Sequence, residues 1–420
     1  MIPDGWEEAT IRELLNNNIL VEVQDGNHGN DHPKSSDYVK DGVPFIMARD
    51  LFGGTINFSS CSFISFEQAK SLRIGFSYPK DILLSHKGTI GEVAKVPSNY
   101  EYIILTPQVT CYRVNPDANF SSDFLYQYFL SPDFQSVLKA RSFQSTRNYI
   151  GITEQKNLTI KYPPLLEQCK IAEILGVWDE SIDLLERLIG KTRSRKQGLM
   201  QQLLTGKKRF KEFEDSNNRQ KTRYGSLPFD WKYISIADIA QEYSAKNKEA
   251  TDLTVLSCSK YKGLVNSLEY FGKQVFSEDT STYKIVKYGM FAYATNHIDE
   301  GSIGYQNLYA KALISPMYTV FKTDSNRVHD LFLYSVLKTE YYRQIFSINT
   351  SASVERRGSL RWKDFSKIKV PLPSLPEQEK IAAVLSAADE EISTLEKQLA
   401  AYKQQKLGLM QQLLTGKIRV

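Results

Sequence analysis

A ten-residue block, Gly-Leu-Met-Gln-Gln-Leu-Leu-Thr-Gly-Lys, stands at Gly198–Lys207 and again, letter for letter, at Gly408–Lys417. It closes a longer repeat: Glu167–Lys207 and Glu377–Lys417 align without a gap and share 22 of 41 residues. Self-similarity of this kind marks the duplication of one structural unit. The offset of 210 residues is too long for a solenoid, so each copy is expected to be a domain followed by a helix. A chain built this way is expected to be pseudo-twofold symmetric and suited to gripping something twice.

The duplication extends upstream of the helices. Ile2-Pro3-Asp4-Gly5-Trp6 is similar to Leu227-Pro228-Phe229-Asp230-Trp231, Gly88-Thr89-Ile90-Gly91 to Gly301-Ser302-Ile303-Gly304, and Asp123-Phe124-Leu125-Tyr126 to Asp330-Leu331-Phe332-Leu333. Between these landmarks the halves differ almost completely. Constant frames with divergent contents suggest two readers of different targets. Each variable region mixes strand-like runs (81–85, 109–114, 318–321) with helical spacing of apolar residues over 124–138 and 331–346, which predicts an α+β fold.

The repeated segments read as long helices. Pro163-Pro164 and Pro371, Pro373 and Pro376 mark their starts, and Gly206 and Gly416 their stops. Ile171, Leu175, Trp178, Ile182, Leu185, Ile189, Thr192, Lys196, Leu199 and Leu203 keep an unbroken 4,3 spacing. So do their counterparts, 210 residues on, from Ile381 to Leu413. Such a pattern over four heptads is a coiled-coil seam. Large Trp178 corresponds to small Ala388, so the two seams are expected to complement each other where they meet. Polar Thr192, Lys196 and Lys406 cost stability in a seam but can fix its register. The polar, basic stretch 208–224 reads as a flexible linker.

Composition excludes several classes. A hydrophobic share of 41% with 24% charged residues suits a soluble globular chain. The start lacks the basic and apolar regions of a signal peptide, and no apolar run is long enough to span a bilayer. A cytoplasmic protein is expected. The four cysteines lack any CxxC pair and read as reduced thiols. Positive charge is clustered at Lys191–Lys196, Lys207–Arg209, Arg219–Arg223 and Arg356–Arg361, which suits a polyanion but equally a solvated helix face.

Two copies of Pro-x-x-Trp, each followed by a Glu-Gln-x-x-Ile-Ala-x-x-Leu helix closing in Gln-Gln-Leu-Leu-Thr-Gly-Lys, resemble a known family. They are similar to the specificity subunit of Type I restriction-modification systems, over essentially the whole chain. Cys169 replaces a usually polar residue in the first copy. The resemblance implies two α+β target-recognition domains separated by two long antiparallel helices that form a coiled coil. On this frame the chain divides into target-recognition domain 1 (1–158), a central helix (159–207), a linker (208–224), target-recognition domain 2 (225–368) and a C-terminal helix (369–420). The implied partners are double-stranded DNA, two methyltransferase subunits and, through the complex, nuclease-translocase subunits. Each domain would read half of an asymmetric bipartite site. A 33-residue helix, roughly 50 Å long at 1.5 Å per residue, would set the spacer.

Neither an [Asn/Asp]-Pro-Pro-[Tyr/Phe] motif nor a phosphate-binding Gly-x-x-x-x-Gly-Lys-[Ser/Thr] loop occurs. His28 and His32 have the look of a loop rather than a metal site. No cofactor, metal or catalytic residue is expected, and catalysis is left to partners. Base edges are read by Arg, Lys, Asn and Gln, with Ser and Thr adaptable. Two stretches per half carry such residues among turn formers. The first holds His86, Lys87 and Thr89, with Asn296, His297 and Ser302 as counterparts. The second holds Arg141, Gln144, Ser145, Thr146, Arg147 and Asn148, with Ser353, Arg356, Arg357 and Arg361 as counterparts. Two alternatives stay open on sequence: a detached specificity portion of a self-sufficient restriction-methylation enzyme, and a coiled-coil interaction protein without DNA binding.

Overall fold

The computed structural model describes residues 2–29, 31–142, 149–214, 218–351 and 358–420. The chain divides into two compact units, Met1–Arg187 with Lys397–Val420, and Leu188–Glu396. The two long helices, Leu165–Leu203 and Leu375–Leu413, are each 39 residues, about 58 Å at 1.5 Å per residue. Each contributes one end to either unit.

In the first unit, a four-stranded antiparallel sheet runs in the order Val93–Lys95, Ile82–Ser85, Val109–Val114, Leu20–Asp25. A second sheet is centred on a parallel pair, Val43–Ile46 with Ile103–Leu105. Ile82–Ser85 and Val43–Ile46 are buried along their whole length, so they lack the alternating pattern of a half-exposed strand. The helical spacing over 124–138 resolves into two helices, Ser122–Leu130 and Pro132–Ser142. Proline keeps Ser131 out of the helical region (ψ 145°), and Ser131 Oγ accepts from the Phe134 amide at 3.3 Å.

The second unit repeats this plan with other residues. Its antiparallel sheet orders Ala240–Tyr243, Tyr318–Thr323, Phe291–Ala294, Ile303–Tyr305, and its other sheet is again centred on a parallel pair, Val255–Ser259 with Lys311–Ile314. Here too the helical spacing resolves into a helix pair, Asp330–Leu337 and Glu340–Ser351. The frames register one residue away from the Asp123–Asp330 match in sequence. Ser121 N–H donates to Gln168 Oε1 and His329 N–H to Gln378 Oε1, both at 2.9 Å, so Tyr126 corresponds to Tyr334.

The repeated motifs have structural work in both units. Gly206 and Gly416 end the long helices in the left-handed region, at φ 60° and 68°. A Cβ on Gly206 would come within 2.6 Å of Pro228, and one on Gly416 within 2.4 Å of Pro3. The helix stops therefore dock on the Pro-x-x-Trp openings. Beside each dock lies an Arg–Glu fork. Arg419 meets Glu167 at 2.6 and 2.8 Å, and Arg209 meets Glu377 at 2.8 and 2.7 Å. Both partners are offset by 210. The linker 208–224 is accordingly not a bare tether: Arg209 is anchored, and Arg219–Thr222 pairs with Gly225–Pro228 as a hairpin.

All twenty seam positions are buried or half-buried. The helices are antiparallel: Lys406 Nζ meets Asp179 in the first unit and Lys196 Nζ meets Asp389 in the second, both at 2.5 Å. The seam lysines are thus neutralised by the opposite helix. The expected Trp178–Ala388 complement does not form; antiparallel packing sets Trp178 edge-on to Tyr402, with ring centroids 5.3 Å apart.

Candidate nucleic-acid interface

Strand Ile82–Ser85 delivers residues 86–91 at one end of its sheet. Gly91 N–H donates to Ser85 O (2.9 Å) and Glu92 N–H to Ser85 Oγ (2.8 Å), closing the loop. Gly88 and Gly91 take φ of 83° and 92°, which few other residues tolerate. Tyr149 and Ile150, which follow the second stretch, meet the same place. Ile150 N–H donates to His86 O at 3.2 Å, and Lys87 forms an antiparallel bridge with Tyr149. Gln155, fully buried, fixes this landing by donating to Ile150 O (2.9 Å) while accepting from Tyr112 Oη (2.6 Å).

The second unit builds the same junction. Ala294 N–H donates to Ser302 O (3.1 Å), closing the 295–301 loop, and Leu360 N–H donates to Thr295 O (2.8 Å). Ile150 and Leu360 are 210 positions apart. In each unit the structure therefore brings the chain that follows the second stretch, at Ile150 and at Leu360, onto the first stretch.

Individual residues fall into three groups. Lys87, Thr89, His297 and Arg361 are exposed, and Asn296 and Arg141 half-buried. Arg141 Nη1 donates to Asn157 O at 3.3 Å, and His297 Nδ1 lies 3.2 Å from Glu300. Arg361 caps the short helix Trp362–Phe365 through its backbone, leaving its guanidinium in solvent. His86 and Ser302 are buried, at 1% and 7% exposure. His86 Nδ1 sits 2.6 Å from Thr110 Oγ1, which donates to Asp25 at 3.1 Å. Burial holds the imidazole below its ordinary pKa, against the opposing pull of Asp25. The Ser302 backbone closes its loop, its carbonyl accepting from Ala294 N–H and its N–H donating to His297 O. Gln144, Ser145, Thr146, Arg147, Asn148, Ser353, Arg356 and Arg357 lie outside the described residues.

Tyr149, Tyr112 and Gln155 escaped the sequence reading. Tyr149 stands edge-on over His86 with centroids 5.5 Å apart. Gln155 has Phe365 at its repeat position, so no recurrence marked it. Other candidate chemistry is absorbed locally. His28 and His32 turn their Nδ1 atoms to the Gly26 and Asn27 carbonyls at 3.1 and 2.9 Å. Burial pushes the Cys61 thiol up to about 11 and Cys258 up to about 12, away from nucleophilic use. Among the described residues no group of His, Cys, Asp and Glu could hold a metal, and no helix is long and apolar enough to cross a membrane.

Two α+β units with one plan and divergent loops, sharing a pair of antiparallel helices, define a protein with two separate recognition surfaces. The sequence matches the Type I restriction modification DNA specificity domain twice, over residues 3–191 and 207–402. The MjaX specificity subunit of a type I restriction enzyme from Methanocaldococcus jannaschii is 26% identical over 439 residues, covering all of this chain and 95% of that protein. The MjaVIII specificity subunit of the same organism is 26% identical over 71% of each chain. The crystal structure of a Type I S subunit from M. genitalium has the same fold, with a TM-score of 0.59 at 17% identity over 98% of this chain and 96% of that one. The chain belongs to the Type I restriction-modification DNA specificity family.

Proposed function

We infer that this chain is the DNA-sequence specificity subunit of a Type I restriction-modification complex. Its two target-recognition domains, 1–158 and 225–368, each read one half of an asymmetric bipartite site. The observation that carries this reading is the junction at Ile150 and Leu360. The same backbone frame carries Lys87 and Thr89 in one half, and Asn296, His297 and Arg361 in the other. One frame with two sets of donors is what reading two different half-sites requires. The same stretches include the arginines and amides of 144–148 and 353–357, which we assign to the same surface. The chain supplies recognition and no catalysis, works in the cytoplasm, and takes its methyltransferase and nuclease-translocase activities from partner subunits.

The helix pair is the docking surface for two methyltransferase subunits and the ruler for the spacer. Val177, Leu184, Leu188 and Leu407 stay exposed on the outer faces of the helices, at 45–59%. Native mass spectrometry of the chain with its cognate methyltransferase subunit is expected to give a 1:2 complex. A 1:1 complex would contradict two equivalent docking surfaces.

A further inference from the structure

The two recognition domains share almost no loop residues, yet each holds an exposed aromatic at an equivalent place. In the first, Leu51–Phe52 and Thr55–Ile56 form a tight hairpin with Gly53 and Gly54 at its tip (φ 59° and 84°). In the second, Lys260, Tyr261 and Lys262 form the turn between Val255–Ser259 and Gly263–Asn266. Phe52 is 77% exposed and Tyr261 83%.

The equivalence rests on contacts. Gly54 and Gly263 both have positive φ, and a Cβ on either would strike a tyrosine hydroxyl, Tyr126 at 2.4 Å or Tyr334 at 2.5 Å. Those tyrosines correspond in the two frames. Gly54 also bridges Ala94, and a Cβ on Gly304, 210 positions after Ala94, would lie 3.1 Å from Gly263. Both tips are thus clamped between the same strand and the same helix. Exposed Phe229, by contrast, has Asp4 as its counterpart.

The tips adjoin the loops assigned to DNA. Lys338 Nζ ties the second tip to the 295–301 loop by donating to Lys260 O (2.7 Å) and Gly301 O (3.0 Å). In the first unit, the parallel bridge to Ala94 sets the tip beside the strand that leaves the 86–91 loop. Leu51–Ile56 and Lys260–Lys262 carry no acidic group, and the second tip has a lysine on each side of Tyr261. A protein partner does not require that absence, but a phosphate backbone does.

We propose that Phe52 and Tyr261 are wedges that stack against or between bases of the duplex, one per half-site, independently of sequence. A rigid tip presenting an aromatic face can unstack a base step locally and recover the loss through stacking. Recurrence in two readers of different sequences fits a contact with what all base pairs share. This proposal rests on the reading of the chain as a specificity subunit.

The test uses the full chain in complex with its cognate subunits. The duplex carries the target defined by methylome sequencing, with 2-aminopurine at successive positions of each half-site. The wild-type complex is expected to raise the probe's fluorescence at one step in each half-site. Phe52→Ala should abolish the rise in one half-site and Tyr261→Ala in the other. Each should weaken binding about tenfold without changing its salt dependence, since no charge is lost. Phe52→Tyr and Tyr261→Phe should retain both signals. Alanine variants that keep the rise and the affinity would overturn the proposal. So would a wild-type complex that binds its target without any rise, or alanine variants that lose only subunit assembly, which would make the tips protein anchors. Failure of the wild-type complex to prefer its target over a scrambled duplex would instead remove the specificity reading itself.

Discussion

At the residue scale, the duplicated Glu, Arg, Gln and Gly positions are structural, and the proposed reading assigns recognition to the divergent loop positions. The fork Arg209–Glu377 is buried, with side-chain exposures of 7% and 1%, whereas Arg419 beside Glu167 is 45% exposed. Arg209→Ala leaves Glu377 buried without its cation and is expected to cost the second unit about 3 kcal/mol. Arg419→Ala should cost the first unit less, because Arg419 is itself 45% exposed and its pairing with Glu167 is screened by solvent. Hydrogen exchange resolved by unit reads both. His86 gives a pH prediction. Its folded pKa is lowered, so the unfolded chain binds the extra proton first, and the stability of the first unit should fall as pH drops below about 6.5. His86→Asn should flatten that fall between pH 7 and pH 5.5 in thermal melts; an unchanged slope would place the titration elsewhere. For recognition, Lys87→Ala should affect one half-site and Arg361→Ala only the other. A lost base contact should reduce discrimination at one position by about 1–3 kcal/mol, and a lost phosphate contact should weaken all sequences alike.

At the scale of elements, the long helices were the most legible feature. Their 4,3 spacing, proline starts and glycine stops are local signals, and every seam position is at least half-buried. What the pattern could not supply was direction of pairing, so Trp178 meets Tyr402 and not Ala388. The sheets were less legible for a physical reason. Their strands are only two to six residues long, several are buried on both faces, and their partners are distant in sequence, as in the parallel Val43–Ile46 and Ile103–Leu105 pair. The candidate interface stretches were proposed from their turn formers and donors, but burial of His86 and the tips at Phe52 and Tyr261 depend on contacts that no local pattern encodes. The ruler role gives an element-scale prediction. Seven residues inserted between Leu185 and Ile189 keep the seam in phase and add about 10 Å, so the spacer should lengthen by about three base pairs at ~3.4 Å each. The second helix needs a matching insertion to keep the pair in register. Five inserted residues should break the seam and abolish assembly. Methylation at the original spacing in both cases would take the ruler role away from these helices.

At the scale of the whole molecule, the central claim is that each unit reads its own half of a bipartite DNA site. Each unit has its own core, built around Tyr112, Phe124 and Phe129 in one and Trp231, Phe321 and Phe365 in the other, so exchange of one recognition domain should leave the other folded. The most direct measurement is methylome sequencing of cells carrying the chain with residues 1–158 replaced by the corresponding region of a relative. The expected result is a methylated target with one half-site changed and the other half-site and spacer intact. A target altered in both halves, or left unaltered in both, would contradict the account.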